Sequence, residues 1–177
     1  TGVSIFAAIL YTVGKSAYGY YGLGDLMVFL FFGCLSVLGV FILYGMRFEA
    51  LTLMPAFTIG FWSVAVLNLN NMRDIVNDAA SSKRTVVVQL GSARAKYYHL
   101  ILILSGLSIW TTLNGVYVYL NNNWIFLIAV FPTLFLYPHL KRVIEINDPS
   151  MYDPELKKVA LITFSSSILF ATSLFLV

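Results

Sequence analysis

The stretch LNLNNMRDIVNDAASSKRTVV (Leu67–Val87) lies between long apolar runs. It holds five of the chain's nineteen charged residues: Arg73, Asp74, Asp78, Lys83 and Arg84. The rest of the 177-residue chain is far less polar, with 59% hydrophobic residues, 11% charged residues and a mean hydropathy of +0.84. Those values lie outside the range of soluble domains and indicate a membrane protein. Apolar runs on either side of the polar stretch can cross the hydrocarbon core where they reach about 20 helical residues.

Runs suited to crossing are Leu26–Tyr44, Ala50–Met72, Tyr97–Leu120, Trp124–Leu136 with its flanks, and Val159–Val177. The expectation is five spans in an all-α, polytopic transmembrane helical bundle. TGVSIFAAILY at the start is apolar but too short to cross, and it lacks the basic region of a signal peptide. It reads as the end of a helix. Residues 1–177 are expected to form a single transmembrane domain, incomplete at its N-terminal side. Cys34, the single cysteine, lies inside an apolar run, so neither a disulfide framework nor a cysteine-based zinc site is available.

Threading these spans puts ten cations on one side: Lys15, Arg73, Lys83, Arg84, Arg94, Lys96, Lys141, Arg142, Lys157 and Lys158. Arg47 alone falls opposite. The positive-inside rule then makes the Leu67–Val87 connection cytoplasmic. Asparagines in YLNNNW form an outer turn, Pro132 and Pro138 kink or end a helix, and the Asp-Pro pairs of EINDPSMYDPELKK suit helix entry. Asp25 reads as a cap for the helix it begins, with a substrate role as the alternative, and His99 and His139 as isolated interfacial residues rather than catalytic ones.

If the helix ending near Met72 continues outward, Asn70, Asp74 and Asp78 fall four residues apart on one face. Like charges at that spacing repel by roughly 0.2–0.5 kcal/mol, so a divalent cation is expected to offset them. Carboxylates with an asparagine oxygen are hard ligands suited to magnesium, whose shell is completed by water and phosphate oxygens. The following cations, Lys83 and Arg84, with Arg73, suit a phosphate ester that arrives with its metal. A solvated polar loop is the bland alternative, because D-x-x-x-D arises often by chance. The EF-hand reading fails for want of the loop glycine and alternate-residue ligands.

NNMRDIVNDAASSKRTVVVQLG (Asn70–Gly91) resembles the second aspartate-rich motif of the UbiA-type intramembrane aromatic prenyltransferases. It is most similar to the branch of the menaquinone pathway, which reads N-N-x-R-D-x-x-x-D followed by G-K-R-T and L-G. Ser82 stands where that pattern has glycine. In YTVGKSAYGYYGLGDLMVFLFFG, Tyr11 and Lys15 fit the family's Y-x-x-x-K element. The resemblance covers essentially the whole chain and implies a partial nine-helix fold, from the end of helix four through helix nine. The family's first motif, N-D-x-x-D-x-x-x-D, does not occur in this chain.

The resemblance implies that Asp74 and Asp78 bind Mg2+ bridging the diphosphate of a polyprenyl diphosphate, with Asn70 or Asn71 assisting. Arg73, Lys83 and Arg84 would bind diphosphate oxygens, and Tyr11 and Lys15 would approach the leaving group. The implied acceptor is 1,4-dihydroxy-2-naphthoate, prenylated with loss of its carboxylate to give demethylmenaquinone. Phe57, Phe61, Trp62 and the Phe-rich LMVFLFFG would line a tunnel for the isoprenoid. The expected setting is a lipid bilayer, the bacterial inner membrane, with no nucleic-acid partner. With one of two metal-binding walls present, the chain alone is expected to be inactive. Two other readings stand beside this one. One is a UbiA-type enzyme acting on 4-hydroxybenzoate or a related ring; the other is an ion-coupled transport subunit, which would favour charges at mid-bilayer depth.

Overall fold

A computed structural model describes residue 2, residues 21–45 and residues 49–177. Tyr11, Lys15 and Arg47 lie outside the described residues. Five helices are long and apolar enough to cross a membrane, and we name them with two short connecting helices in chain order. They are α1 (Gly24–Leu43), α2 (Ala50–Arg73), α3 (Ile75–Ala80), α4 (Val86–Leu90), α5 (Ser92–Asn121), α6 (Trp124–Glu145) and α7 (Pro149–Phe175). All five expected crossings are present. Their ends run further into polar sequence than the apolar runs do, because a helix leaving the hydrocarbon can keep its backbone hydrogen bonds.

α2 is the centre of the bundle. It buries Ala56, Trp62, Val64, Ala65, Leu69 and Met72 and packs against α1, α5 and α7. Lipid tails are as apolar as leucine, so helices associate here through close packing, small residues and hydrogen bonds. Gly33 shows the first two: a Cβ at that position would lie 2.6 Å from the Ala56 carbonyl oxygen and from the Gly60 Cα. α1 therefore meets α2 almost backbone to backbone. At Gly106 of α5, a Cβ would collide with the Trp62 indole, whose Nε1 donates to the Ile103 carbonyl at 3.4 Å.

Neither α1 nor α6 is a regular α-helix throughout. Phe29–Leu35 of α1 is wound as a π-helix, and the Ser36 hydroxyl donates back to the Phe32 carbonyl. Trp124–Phe135 of α6 is 3-10 helix with Pro132 inside it, passing into α-helix at Leu136–Glu145. The two prolines thus change the winding of α6 without ending it: Pro132 has no N–H to give, and Pro138 sits in the first turn of the α-helical part. The helix entry expected at Asp148-Pro149 is present, with the Asp148 carboxylate accepting from the Ser150 N–H at 3.0 Å.

The end of α2 meets the start of α7 through Arg73 and Asp153, 2.9 Å apart. The start of α5 meets the end of α6 through Lys96 Nζ, 2.8 Å from the Ile144 carbonyl. Gly22, just before α1, packs on the Arg84 carbonyl and the Gln89 side chain. Most of the described cations accordingly gather at one end of the bundle, which we call the polar end.

Candidate functional site

The polar connection keeps its helical hydrogen bonds through the membrane exit. Asp74 N–H donates to the Asn70 carbonyl at 3.0 Å and Asp78 N–H to the Asp74 carbonyl at 2.9 Å. Asn70, Asp74 and Asp78 therefore do follow one another at four-residue intervals, with a bend at Asp74 (φ −96°, ψ 9°) separating α2 from α3. Asn70 is half-buried, Asp74 half-exposed and Asp78 largely buried, whereas Asn71 is buried.

α3 ends in a Schellman turn, and that turn positions Lys83. Lys83 N–H reaches back to the Asp78 carbonyl at 2.9 Å, and Ser82 N–H to the Ala79 carbonyl at 3.2 Å. Ser82 takes the left-handed conformation such a turn requires (φ 58°), which gives a conformational reason for glycine in the related motif. The turn brings the Lys83 ammonium to 3.1 Å and 3.3 Å from the two oxygens of Asp78. Arg84 is exposed, and its carbonyl accepts from Gln89 Nε2 at 2.9 Å. Thr85 then caps α4, its hydroxyl accepting from Val88 N–H at 3.2 Å.

Arg73 is the hub. Its Nε and Nη2 donate to the two oxygens of Asp74, each at 2.9 Å. Nη2 also donates to Asn70 Oδ1 at 2.8 Å, and Nη1 to Asp153 Oδ1 at 2.9 Å. The Arg73 hydrogen bonds, with the charges of Arg73 and Lys83, hold the Asp74 carboxyl below the usual carboxylate range. This corrects the electrostatic expectation for the Asp74–Asp78 pair. Each carboxylate has its own cation, Arg73 on one and Lys83 on the other, so the repulsion alone does not call for a divalent ion. Asp153 lies 80 positions from Arg73, and the sequence marks it only as part of an Asp-Pro helix entry.

The donor set nevertheless suits magnesium. Oxygens of Asn70 and Asp74 already converge on one cationic group, and both are hard donors. Among the described residues no three or more His, Cys, Asp or Glu side chains gather as a metal cluster.

An apolar cavity of about 650 Å³ adjoins this cluster, lined from α1, α2 and α7. Val28, Phe32, Trp62, Val66, Leu156 and Phe164 form part of its wall, and Asn70 is also in it. Of the aromatics expected to line a tunnel, Trp62 and Phe32 of LMVFLFFG line this cavity. Phe57 and Phe61 instead pack on Phe29, with ring centroids 5.6 and 5.0 Å away.

Two other expectations are corrected. Asp25 makes no side-chain cap to its helix; its carboxylate accepts from the Tyr98 hydroxyl at 2.8 Å, tying α1 to α5. His99 and His139 are neither isolated nor interfacial, but fully buried and in contact with each other. Forty positions of sequence separate them, so nothing local could have announced the pairing.

Fold and site together define a polytopic α-helical membrane protein with an acidic and basic cluster at one end and an apolar cavity beneath it. Comparison with known proteins narrows that class. Residues 1–153 match the model of the UbiA prenyltransferase family, and the chain belongs to this family. It is 37% identical over 175 residues to the 1,4-dihydroxy-2-naphthoate octaprenyltransferase of Escherichia coli (strain K12), covering 99% of this chain and 56% of that protein. It is 36% identical over 172 residues to the protein of the same name from Haemophilus influenzae, covering 97% of this chain and 55% of that one. A third, from Mycobacterium tuberculosis, is 42% identical over 105 residues, 59% of this chain and 36% of the relative. The chain thus spans about half the length of the first two relatives. No solved structure matches it.

Proposed function

We propose that this chain supplies one wall of an active site that transfers a polyprenyl group from polyprenyl diphosphate to 1,4-dihydroxy-2-naphthoate, in menaquinone biosynthesis. One observation carries the reading: Asn70 belongs to the polar cluster, bonded to Arg73 at 2.8 Å, and also lines the apolar cavity. An amphiphile with a charged head and a long apolar tail fits that continuity. The names of the relatives supply the donor and acceptor classes.

Asp74 and Asp78 would hold Mg2+, with Asn70 or Asn71 assisting, and Lys83, Arg84 and Arg73 would hold diphosphate oxygens. Bound there, the metal would neutralise charge growing on the diphosphate as the allylic carbon–oxygen bond breaks. Cations placed in advance favour that charge-separated transition state over the ground state. Lys83 would be one such cation: it follows the Schellman turn, and its ammonium lies 3.1 Å from Asp78 Oδ1. Trp62 and Phe32 in the cavity wall would keep water from the allylic cation and offer it their faces. Tyr11 and Lys15 are proposed to complete the grip on the leaving group. The acceptor then replaces its carboxylate, lost as carbon dioxide, with the prenyl group. The polar end would face the cytoplasm of a bacterial inner membrane, as the distribution of cations favours.

This 177-residue chain expressed by itself is expected to be inactive, because the family's first aspartate-rich motif does not occur in it. The test is prenyl transfer by membranes containing the full-length gene product, with 1,4-dihydroxy-2-naphthoate and 4-hydroxybenzoate offered in parallel. Turnover of the naphthoate that stops on chelation and returns with Mg2+ supports the reading. Turnover of the benzoate alone, or of neither, overturns it.

A further inference from the structure

Arg73 occupies the very oxygens that the proposed metal requires. Both Asp74 oxygens and Asn70 Oδ1 accept from its guanidinium, leaving only Nη1 for Asp153. Asp153 is held in turn by Lys157, whose Nζ lies 3.1 Å from its second oxygen. Two carboxylates and two cations therefore close a neutral cluster. Arg73, Asp74 and Asp153 are all partly exposed, with side chains 32%, 33% and 42% accessible, so an incoming charged group can reach and rearrange them.

We propose that Arg73 is a placeholder cation and Asp153 its anchor. Without substrate, Arg73 caps Asn70 and Asp74. When a metal–diphosphate head enters, the guanidinium gives up those oxygens, keeps its bond to Asp153, and turns the freed N–H groups to the diphosphate. Asp153 is thus a positioning residue, acting on substrate through Arg73. The planar fork of arginine suits both states, since it pairs bidentately with a carboxylate and equally with a phosphate. No bond is made or broken; one set of charge-assisted hydrogen bonds replaces another. The scheme rests on the metal assignment proposed for Asp74, and it explains how one arginine can hold Asp74 and also serve the diphosphate.

Binding measurements on the purified full-length gene product separate the two ideas, using Mn2+ followed by electron paramagnetic resonance and inorganic pyrophosphate followed by calorimetry. Arg73→Gln is expected to bind Mn2+ more tightly, by about fivefold, the size of one exposed ion pair removed as a competitor. The same variant is expected to bind pyrophosphate more weakly. Asp153→Asn is expected to weaken both, because the guanidinium then rests wholly on Asp74, and to raise KM for the donor more than it lowers kcat. Asp153→Glu is expected to recover part of the loss. Arg73→Lys, which keeps the charge without the fork, is expected to fall between wild type and Arg73→Gln in Mn2+ affinity, and serves alone if Arg73→Gln does not fold. Unchanged or weaker Mn2+ binding in both Arg73 variants overturns the placeholder while leaving the metal assignment standing. Unchanged Mn2+ binding in Asp74→Asn overturns the metal assignment and the placeholder with it.

Discussion

His99 and His139 meet through their Nε2 atoms, 2.9 Å apart in the fully buried interior. His139 Nδ1 lies 2.8 Å from Glu155 Oε2, and Glu155 Oε1 lies 2.6 Å from Lys158 Nζ. The chain of contacts links α5, α6 and α7 and ends at a lysine near the polar end. Removing one member of such a set strands the others in a low-dielectric interior. Glu155→Leu is expected to destabilise the fold by about 3 kcal/mol, and His139→Leu by a similar amount. The double variant should cost less than the two losses added together, because neither partner is then left alone. Thermal midpoints of the four proteins in detergent check this, and additive losses would show that the contacts are independent.

Gly33 sets the approach of α1 to α2. A Cβ there would lie 2.6 Å from backbone atoms of α2, whereas at Gly115 of α5 it would meet nothing within 4 Å. Gly33→Ala is expected to destabilise by about 1–3 kcal/mol through forced separation of the helices. Gly115→Ala should be neutral or stabilising by up to about 1 kcal/mol, since alanine is the better helix former. Parallel thermal melts decide the matter.

Ser82 adopts φ 58° in the Schellman turn, a conformation that costs a residue with a Cβ roughly 1–2 kcal/mol. Ser82→Gly is expected to recover about 1 kcal/mol of that, offset in part by the freer unfolded chain. The turn itself, and with it the Lys83–Asp78 pair, should persist. A higher thermal midpoint with unchanged diphosphate affinity is the expected result.

Asp74 makes a pH-dependent contribution whose sign follows from its lowered pKa. A carboxyl depressed in the folded state stabilises fully above its unfolded pKa, about 4. The contribution is lost as pH falls through the folded value, where protonation breaks the bond to Arg73. The stability gap between wild type and Asp74→Asn should therefore stay constant from neutral pH down to about 5 and close below that. Denaturation curves across this range test it; a gap that widened on acidification would contradict the assignment.

Much of this architecture was legible in the sequence, because the bilayer imposes a length and a composition on every crossing. The five spans and the Asn70–Asp74–Asp78 spacing followed from those rules. What escaped were contacts between distant helices. Asp153 looks like any acidic residue in a helix entry until Arg73 arrives beside it, and His99 and His139 carry no local pattern that pairs them. Charges counted along α2 and α3 likewise leave Asp74 and Asp78 repelling each other, because their order in sequence does not show where the Arg73 and Lys83 side chains turn.

In the proposed reaction the charged head of the donor would sit at Asn70 and Asp74 while its tail fills the cavity below. Photolabelling tests it most directly, using a polyprenyl diphosphate analogue with a diazirine in its first isoprene units, bound to the full-length gene product. Crosslinks are expected at residues 59–67 of α2 and 156–167 of α7, lost on competition with unlabelled donor and in Asp74→Ala. Labelling confined to the exposed faces of α5 and α6, or unaffected by competitor, would contradict it.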